Sequence, residues 1–224
     1  YTMTVTIETP VGEIASTHPL ATRVFARHNI DFCCGGGAPL QTACDKHGLN
    51  ADEILVEINK ELEEPDSTTN WNDAPLTDLI EHIVSTYHVS LKEELPRLEA
   101  MAIRVNHVHG DKDPERLQAI ETVFCNLKEE LLSHMMKEEQ ILFPMIANGK
   151  GAMASDPVSM MEHEHDSAGN ALRELRELTN DFTPPAVACN TWRALWHGLA
   201  ALEQDTHQHI HLENNILFPR ALNS

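Results

Sequence analysis

Two stretches of the chain, HMMKEEQILFP from residue 134 and HIHLENNILFP from residue 209, share the pattern H-x-x-x-E-x-x-I-L-F-P and lie 75 residues apart. A histidine and a glutamate four residues apart stand one helical turn apart on one face, so both side chains can reach the same ion. Two further histidines, His88 and His165, precede the H-x-x-x-E histidines by 46 and 44 residues. The resulting set is His88, His134, Glu138, His165, His209 and Glu213, and its chemistry is that of a dinuclear metal site. Neutral imidazoles ligate, while carboxylates supply charge and can bridge. With no thiolate in the set, the ligand types suit iron, manganese or zinc, and iron is favoured for a redox-capable pair. A second reactive stretch is DFCCGGG at 31–37. Adjacent cysteines do not easily ligate one tetrahedral ion, and a disulfide between them is strained. Cys33 and Cys34 therefore read either as a buried cysteine beside a glycine turn, whose glycines allow positive φ, or as a functional thiol pair.

Four long segments of helical period must position the six ligands, at about 76–104, 114–147, 157–180 and 186–221. They are separated by HVHGDKDP, NGKGAMASDP and NDFTPP, each rich in Gly, Pro or Asp. Four such helices joined by short turns predict an antiparallel four-helix bundle. Apolar residues at 3–4 spacing run through the ligands: Ile80, Val84, His88, Leu91 in the first helix, and Leu131, His134, Glu138, Ile141 in the second. The third gives Met161, His165, Ala168, and the fourth Thr206, His209, Glu213, Ile216. The six polar residues thus occupy interior seam positions. Unpaired, they would cost several kcal/mol per group, roughly, so something must compensate, and a pair of divalent or trivalent metal ions does so naturally. A ferritin-like arrangement needs Glu-x-x-His on two helices; only Glu162-x-x-His165 fits, with Ser85 at the matching place in the first helix. His163, His207 and His211 lie off the stripes and are expected on the surface. Glu130, one turn before His134, and Glu164, beside His165, are either supports behind the ligands or solvated helix flank.

Upstream, helical patterns at 11–17, 19–28, 38–47 and 51–63 alternate with breakers. The chain divides into a small N-terminal helical domain (1–62), a polar linker (63–75, EEPDSTTNWNDAP) and the bundle (76–224). The fold class is all-α. A formal charge of −19 argues against a nucleic-acid surface, which needs clustered Lys and Arg. No stretch is long and apolar enough for a membrane span, and no secretory signal is read in YTMTVTIETP. Five cysteines without framework spacing suit a reducing compartment, so a cytoplasmic location is expected. Fourteen histidines are well above ordinary usage.

The motifs DFCCGGG, SHMMKEEQILFPMI, EHEHDSAG, TPP and HIHLENNILFPRAL, spread over nearly the whole chain, resemble those of the repair-of-iron-centres (RIC) family of the hemerythrin-like superfamily. Hemerythrins proper carry a further H-x-x-x-H pair on the third helix; here Met161 stands at that place. The resemblance implies a two-iron centre, oxo- or hydroxo-bridged, with Glu138 and Glu213 bridging and a coordination position left open for nitric oxide or dioxygen. It also implies restoration of iron–sulfur clusters damaged by nitrosative or oxidative stress, with iron–sulfur proteins as clients. Three readings follow: an iron donor, a nitric oxide reductase at the same centre, and an oxygen-binding or sensing module. Cys33 and Cys34 would then relay iron, nitric oxide or electrons, and the oligomeric state, a homodimer included, stays open.

Overall fold

Each long helix buries one apolar stripe, and the only stable arrangement for four such stripes is face to face. The computed structural model of the protein describes residues 5–33, 36–62 and 69–224. The first bundle helix, α5 (76–109), joins Leu76–Ile83 and Val89–His109 through a π turn at Val84–His88. Helix α6 (114–147) opens at Pro114, where a missing N–H costs nothing, and runs through Pro114–Lys137, a π turn at Glu138–Leu142 and Phe143–Ala147. It ends where Gly149 takes φ of +69° and Lys150 N donates to Met145 O at 3.0 Å. Helix α7 is Ser155–Leu178, and α8 (190–222) joins Asn190–Leu212, a π turn at Glu213–Leu217 and Phe218–Leu222. Around the bundle, α5 packs on α6 and α8, and α7 on α6 and α8.

The three π turns correct the sequence-derived stripes. Their bonds reach back five residues: Val89 N to Val84 O, Phe143 N to Glu138 O and Phe218 N to Glu213 O. Each adds one residue to the turn; the stripe slips before His88 in α5 and at Ile141 in α6, whereas Ile216 in α8 is buried as expected. Ile141, expected in the interior, is 54% exposed, and Leu142 is buried instead. Ile80 and Val84 are only half-buried, while Leu79 and Ile83 are fully buried. Pro144 and Pro219 follow the second and third π turns closely. Their rings would clash with a carbonyl four residues back in an unbroken α-helix, so the repeated I-L-F-P falls where the ladder is already widened.

Two apolar clusters fill the bundle, one around Leu91, Phe124, Leu172 and Trp196, the other around Ile83, Phe143, Met161 and Phe218. All six predicted ligands lie between these clusters along their helices, forming one polar layer in an apolar interior.

The N-terminal helices are α1 (Val11–Thr17), α2 (Ala21–Arg27), α3 (Leu40–Lys46) and α4 (Ala51–Leu62), around a core that includes Val11, Ile14, Phe25 and Ile58. Among the described residues there is no strand, only the isolated bridge Pro10–Pro39. Gly12 N donates to Gly36 O at 2.8 Å, tying α1 to the DFCCGGG loop, and α1 packs on α8. The expected positive φ is absent at Gly36 and Gly37. Gly36 is needed for close approach: a Cβ there would meet Phe32 O at 2.8 Å and Asn215 Oδ1 at 3.0 Å. Cys34, and the 63–68 part of the expected linker, lie outside the described residues. No described helix is long and apolar enough to cross a membrane.

Candidate metal centre

The H-x-x-x-E repeat puts His134 and Glu138 on α6, and His209 and Glu213 on α8, at the start of a π turn in each helix. His88 closes the π turn of α5, and His165 sits on uninterrupted α7. Their donor atoms gather into two sets, His88–Glu138–His209–Glu213 and His134–Glu138–His165–Glu213, each with all ligand atoms within 4.8 Å of one another. Both sets contain both glutamates. Two ions sharing two carboxylates is the arrangement this allows, and all six side chains are buried.

Within each set the histidines face one another, His88 Nε2 lying 3.1 Å from His209 Nε2 and His134 Nε2 3.0 Å from His165 Nε2. The outer ring nitrogens decide what this means. His134 Nδ1 lies 2.9 Å from Glu164 Oε2, and His165 Nδ1 2.7 Å from Asn214 Oδ1. Both acceptors call for an N–H on Nδ1, which leaves a lone pair on each Nε2 of a neutral ring. Two lone pairs 3.0 Å apart repel unless a cation lies there: a metal ion in a loaded site or, in the metal-free protein, the proton that Glu138 and Glu213 hold on His134. The glutamates agree: Glu138 Oε1 and Oε2 and Glu213 Oε2 are buried without a well-aligned hydrogen bond, although imidazole nitrogens approach Glu138 Oε2 at 3.3 Å and Glu213 Oε2 at 3.1 Å. Such a cluster suits metal and is costly without it.

Outer contacts follow the internal repeat with one exception. Glu139 follows Glu138 and takes His88 Nδ1 at 2.8 Å, itself held by Lys92 Nζ at 2.7 Å. Asn214 follows Glu213 and takes His165. Glu164 precedes His165 and takes His134, with Lys137 paired to it. Tyr87 precedes His88, but its ring stacks on His209 at 5.6 Å and 3° instead, and His209 Nδ1 has no partner. The His88–His209 side is therefore clad in an aromatic ring where the other side carries a carboxylate.

The charges shift accordingly. Burial lowers the basicity of His134, yet Glu138 and Glu213 outweigh it and push its pKa up to about 9. Burial would raise the Glu213 carboxyl, but His209 and His165 hold it well below the usual carboxylate range. Burial and the charge of His209 push His88 down. Burial pushes the Tyr87 hydroxyl up to about 12.

Of the other residues singled out in the sequence, Glu164 touches a ligand directly. Glu130 is exposed, accepts from Ser167 Oγ at 3.1 Å and lines a cleft of about 430 Å³ that reaches His134 and His165 between α6 and α7. Cys33 is buried, and its Sγ donates to Asp31 Oδ1 at 3.2 Å. It borders a larger cleft of about 1010 Å³ between the N-terminal helices and the bundle, which Tyr87 also lines. His163 is on the surface as expected. His211 is not: it is buried, its Nδ1 lies 3.1 Å from Asn215 Nδ2, and Phe32 packs edge-on to its ring at 5.3 Å. His207 is half-buried. The N-terminal helices cover a face of α8 that the bundle alone would leave to solvent. Burial there pushes the His211 pKa down to about 4. Glu139, Asn214 and Tyr87 were not anticipated, although each adjoins a ligand and obeys or breaks the same repeat.

Similarity to known proteins covers both parts of the chain. The hemerythrin HHE cation binding domain matches residues 79–221, and the ScdA N-terminal domain, a domain of unknown function, matches residues 7–62. The iron-sulfur cluster repair protein YtfE of Pectobacterium atrosepticum is 48% identical over 214 residues, covering 95% of this chain and 96% of that protein. The same-named protein of Yersinia pseudotuberculosis is 47% identical over 212 residues, covering 95% and 96%. With a hemerythrin-type bundle built around a metal-binding His/Glu cluster, this chain belongs to the YtfE family of iron–sulfur cluster repair proteins.

Proposed function

We propose that the centre carries two iron ions and that the protein repairs damaged iron–sulfur clusters by donating that iron to cytoplasmic iron–sulfur client proteins. The observation that carries this reading is the pair of facing imidazoles in each set, with two buried carboxylates common to both. His88 and His209 would hold one ion, His134 and His165 the other, and Glu138 and Glu213 would serve both. A His/carboxylate set holds ferrous iron less tightly than the thiolates of a cluster, so the iron is cargo that a client can draw away. Glu139, Glu164 and Asn214 keep the protons on Nδ1 and the Nε2 lone pairs turned inward. Glu130 and Ser167 border the cleft beside His134, a polar route by which protons or ions reach it. The division at 1–62, 63–75 and 76–224 gives the Cys33–Cys34 loop its own support, from which the thiols would relay iron or nitric oxide.

Loading the purified protein with ferrous iron under anaerobic conditions tests this. Two irons per chain are expected, as is cluster reconstitution in an apo-ferredoxin supplied with sulfide. Glu213→Ala and His134→Ala should bring iron well below that stoichiometry. Full iron content in both variants overturns the ligand set, and iron that never reaches the acceptor overturns donation. One observation favours a second activity: the 430 Å³ cleft gives a diatomic molecule access to the His134–His165 side. Catalytic formation of nitrous oxide from nitric oxide and a reductant, with no transfer to the acceptor, would make reduction the function.

A further inference from the structure

At the end of the bundle remote from the metal cluster, α8 begins at Cys189, its N-cap residue, and this thiol is exposed. His109, the last residue of α5, lies against it with Nε2 3.3 Å from Cys189 Sγ. The imidazole is about nine-tenths buried, packed at 5.1 Å from the Trp192 ring, and its other nitrogen, Nδ1, has no hydrogen-bond partner. That settles the tautomer. A proton on Nδ1 would bury a donor with no acceptor, whereas a proton on Nε2 points at sulfur and leaves only a lone pair unpaired. An N–H directed at sulfur stabilises a thiolate far more than a thiol. The same sulfur stands at the N-terminal end of a 23-residue helix, where peptide dipoles favour negative charge.

We propose that Cys189 is a nucleophilic thiol and the site at which this protein forms mixed disulfides with low-molecular-weight disulfides of the glutathione type. The thiol proton leaves to solvent and the thiolate, held by His109 Nε2–H, attacks one sulfur of the small disulfide. A new S–S bond forms to Cys189 as the old one breaks, and the departing thiolate takes up a proton. No electrons are gained or lost overall. Cys33 and Cys44 are buried, which leaves Cys189 the most accessible of the described thiols. It lies twenty residues before His209 on α8, about 30 Å along the helix, so the reaction proceeds without touching the metal ligands. His109 acts here as a positioning residue.

The test uses the full chain, with peptide-resolved mass spectrometry after iodoacetamide labelling and, separately, after incubation with oxidised glutathione. At pH 7, Cys189 is expected to be alkylated at least about fivefold faster than free glutathione and to be the first site of glutathione adduct formation. His109→Leu, which keeps an apolar group against Trp192, should bring the rate down to that of free glutathione, and His109→Gln, which returns an N–H, should restore part of it. Circular dichroism and iron content should stay at wild-type levels throughout. A wild-type Cys189 that reacts no faster than free glutathione overturns the proposal without reference to any variant. So does an adduct that forms first on another cysteine.

Discussion

The sharpest consequences at the residue scale come from the atoms behind the ligands. Asn214 Oδ1 fixes the His165 tautomer at 2.7 Å. Asn214→Ala should weaken metal binding by about 10–100-fold, read by competition with a chromophoric chelator, while leaving the fold intact. Proton competition gives a second outcome. His134 in the metal-free protein is held up at about 9, above its ordinary value of 6.5. Its protonated form therefore stabilises the metal-free fold fully below pH 6.5, and that contribution is lost as pH rises through about 9. Metal affinity runs the other way, because the ion must displace this proton. Chelator competition at pH 6.5 and 8.5 should show tighter binding at the higher pH, with protons released on loading. The buried cluster of six was legible in the sequence because interior seams are apolar and a repeated His-x-x-x-Glu violates that rule twice. Glu139 and Asn214 were not. In an α-helix the residue after an inward glutamate turns away from that residue's face, so periodicity gives no sign that Glu139 and Asn214, within π turns, meet the histidines of neighbouring helices.

At the scale of the elements, the π turns of α5 and α6 explain why helix lengths and the bundle class could be read while the stripe slipped by one residue before His88 and at Ile141. Periodicity counts residues per turn, and it has no means of counting a turn that holds one more. The α7–α8 connection presents a different local cost. Asn180, Asp181 and Phe182 all take left-handed backbone, with φ of 50°, 56° and 53°, a conformation that disfavours side chains bearing a Cβ. Phe182 is held there by Arg176, which lies over its ring at 4.8 Å, and Trp196 Nε1 donates to Thr179 O at 3.2 Å. Asn180 is exposed and its side chain makes no such contact. Asn180→Gly should therefore stabilise the protein by about 0.5–1 kcal/mol, raising Tm by about 1–4 °C in a calorimetric scan.

On the scale of the whole molecule, the N-terminal helices and the bundle meet through small residues. A Cβ at Gly12 would come within 2.6 Å of Asn215 Oδ1 and 3.0 Å of Gly36 O. Gly12→Ala should force the loop off α8 at a cost of about 1–3 kcal/mol, seen as faster modification of Cys33 by a thiol reagent with metal content kept. This contact also accounts for His211. A single helix read by its period shows which face meets the bundle interior, but not that a second group of helices covers the opposite face. Three consecutive residues of one π turn now carry three separate tasks. Glu213 faces the metal cluster, Asn214 holds His165, and Asn215 Nδ2 donates to Phe32 O at 3.2 Å, next to Cys33. An iron ion held by Glu213 and the loop held by Asn215 would thus be partners in one reciprocal equilibrium: whatever free energy the ion spends in reshaping the turn would reappear as a change in the grip on the loop, and displacing the loop would alter the hold on the ion by the same amount.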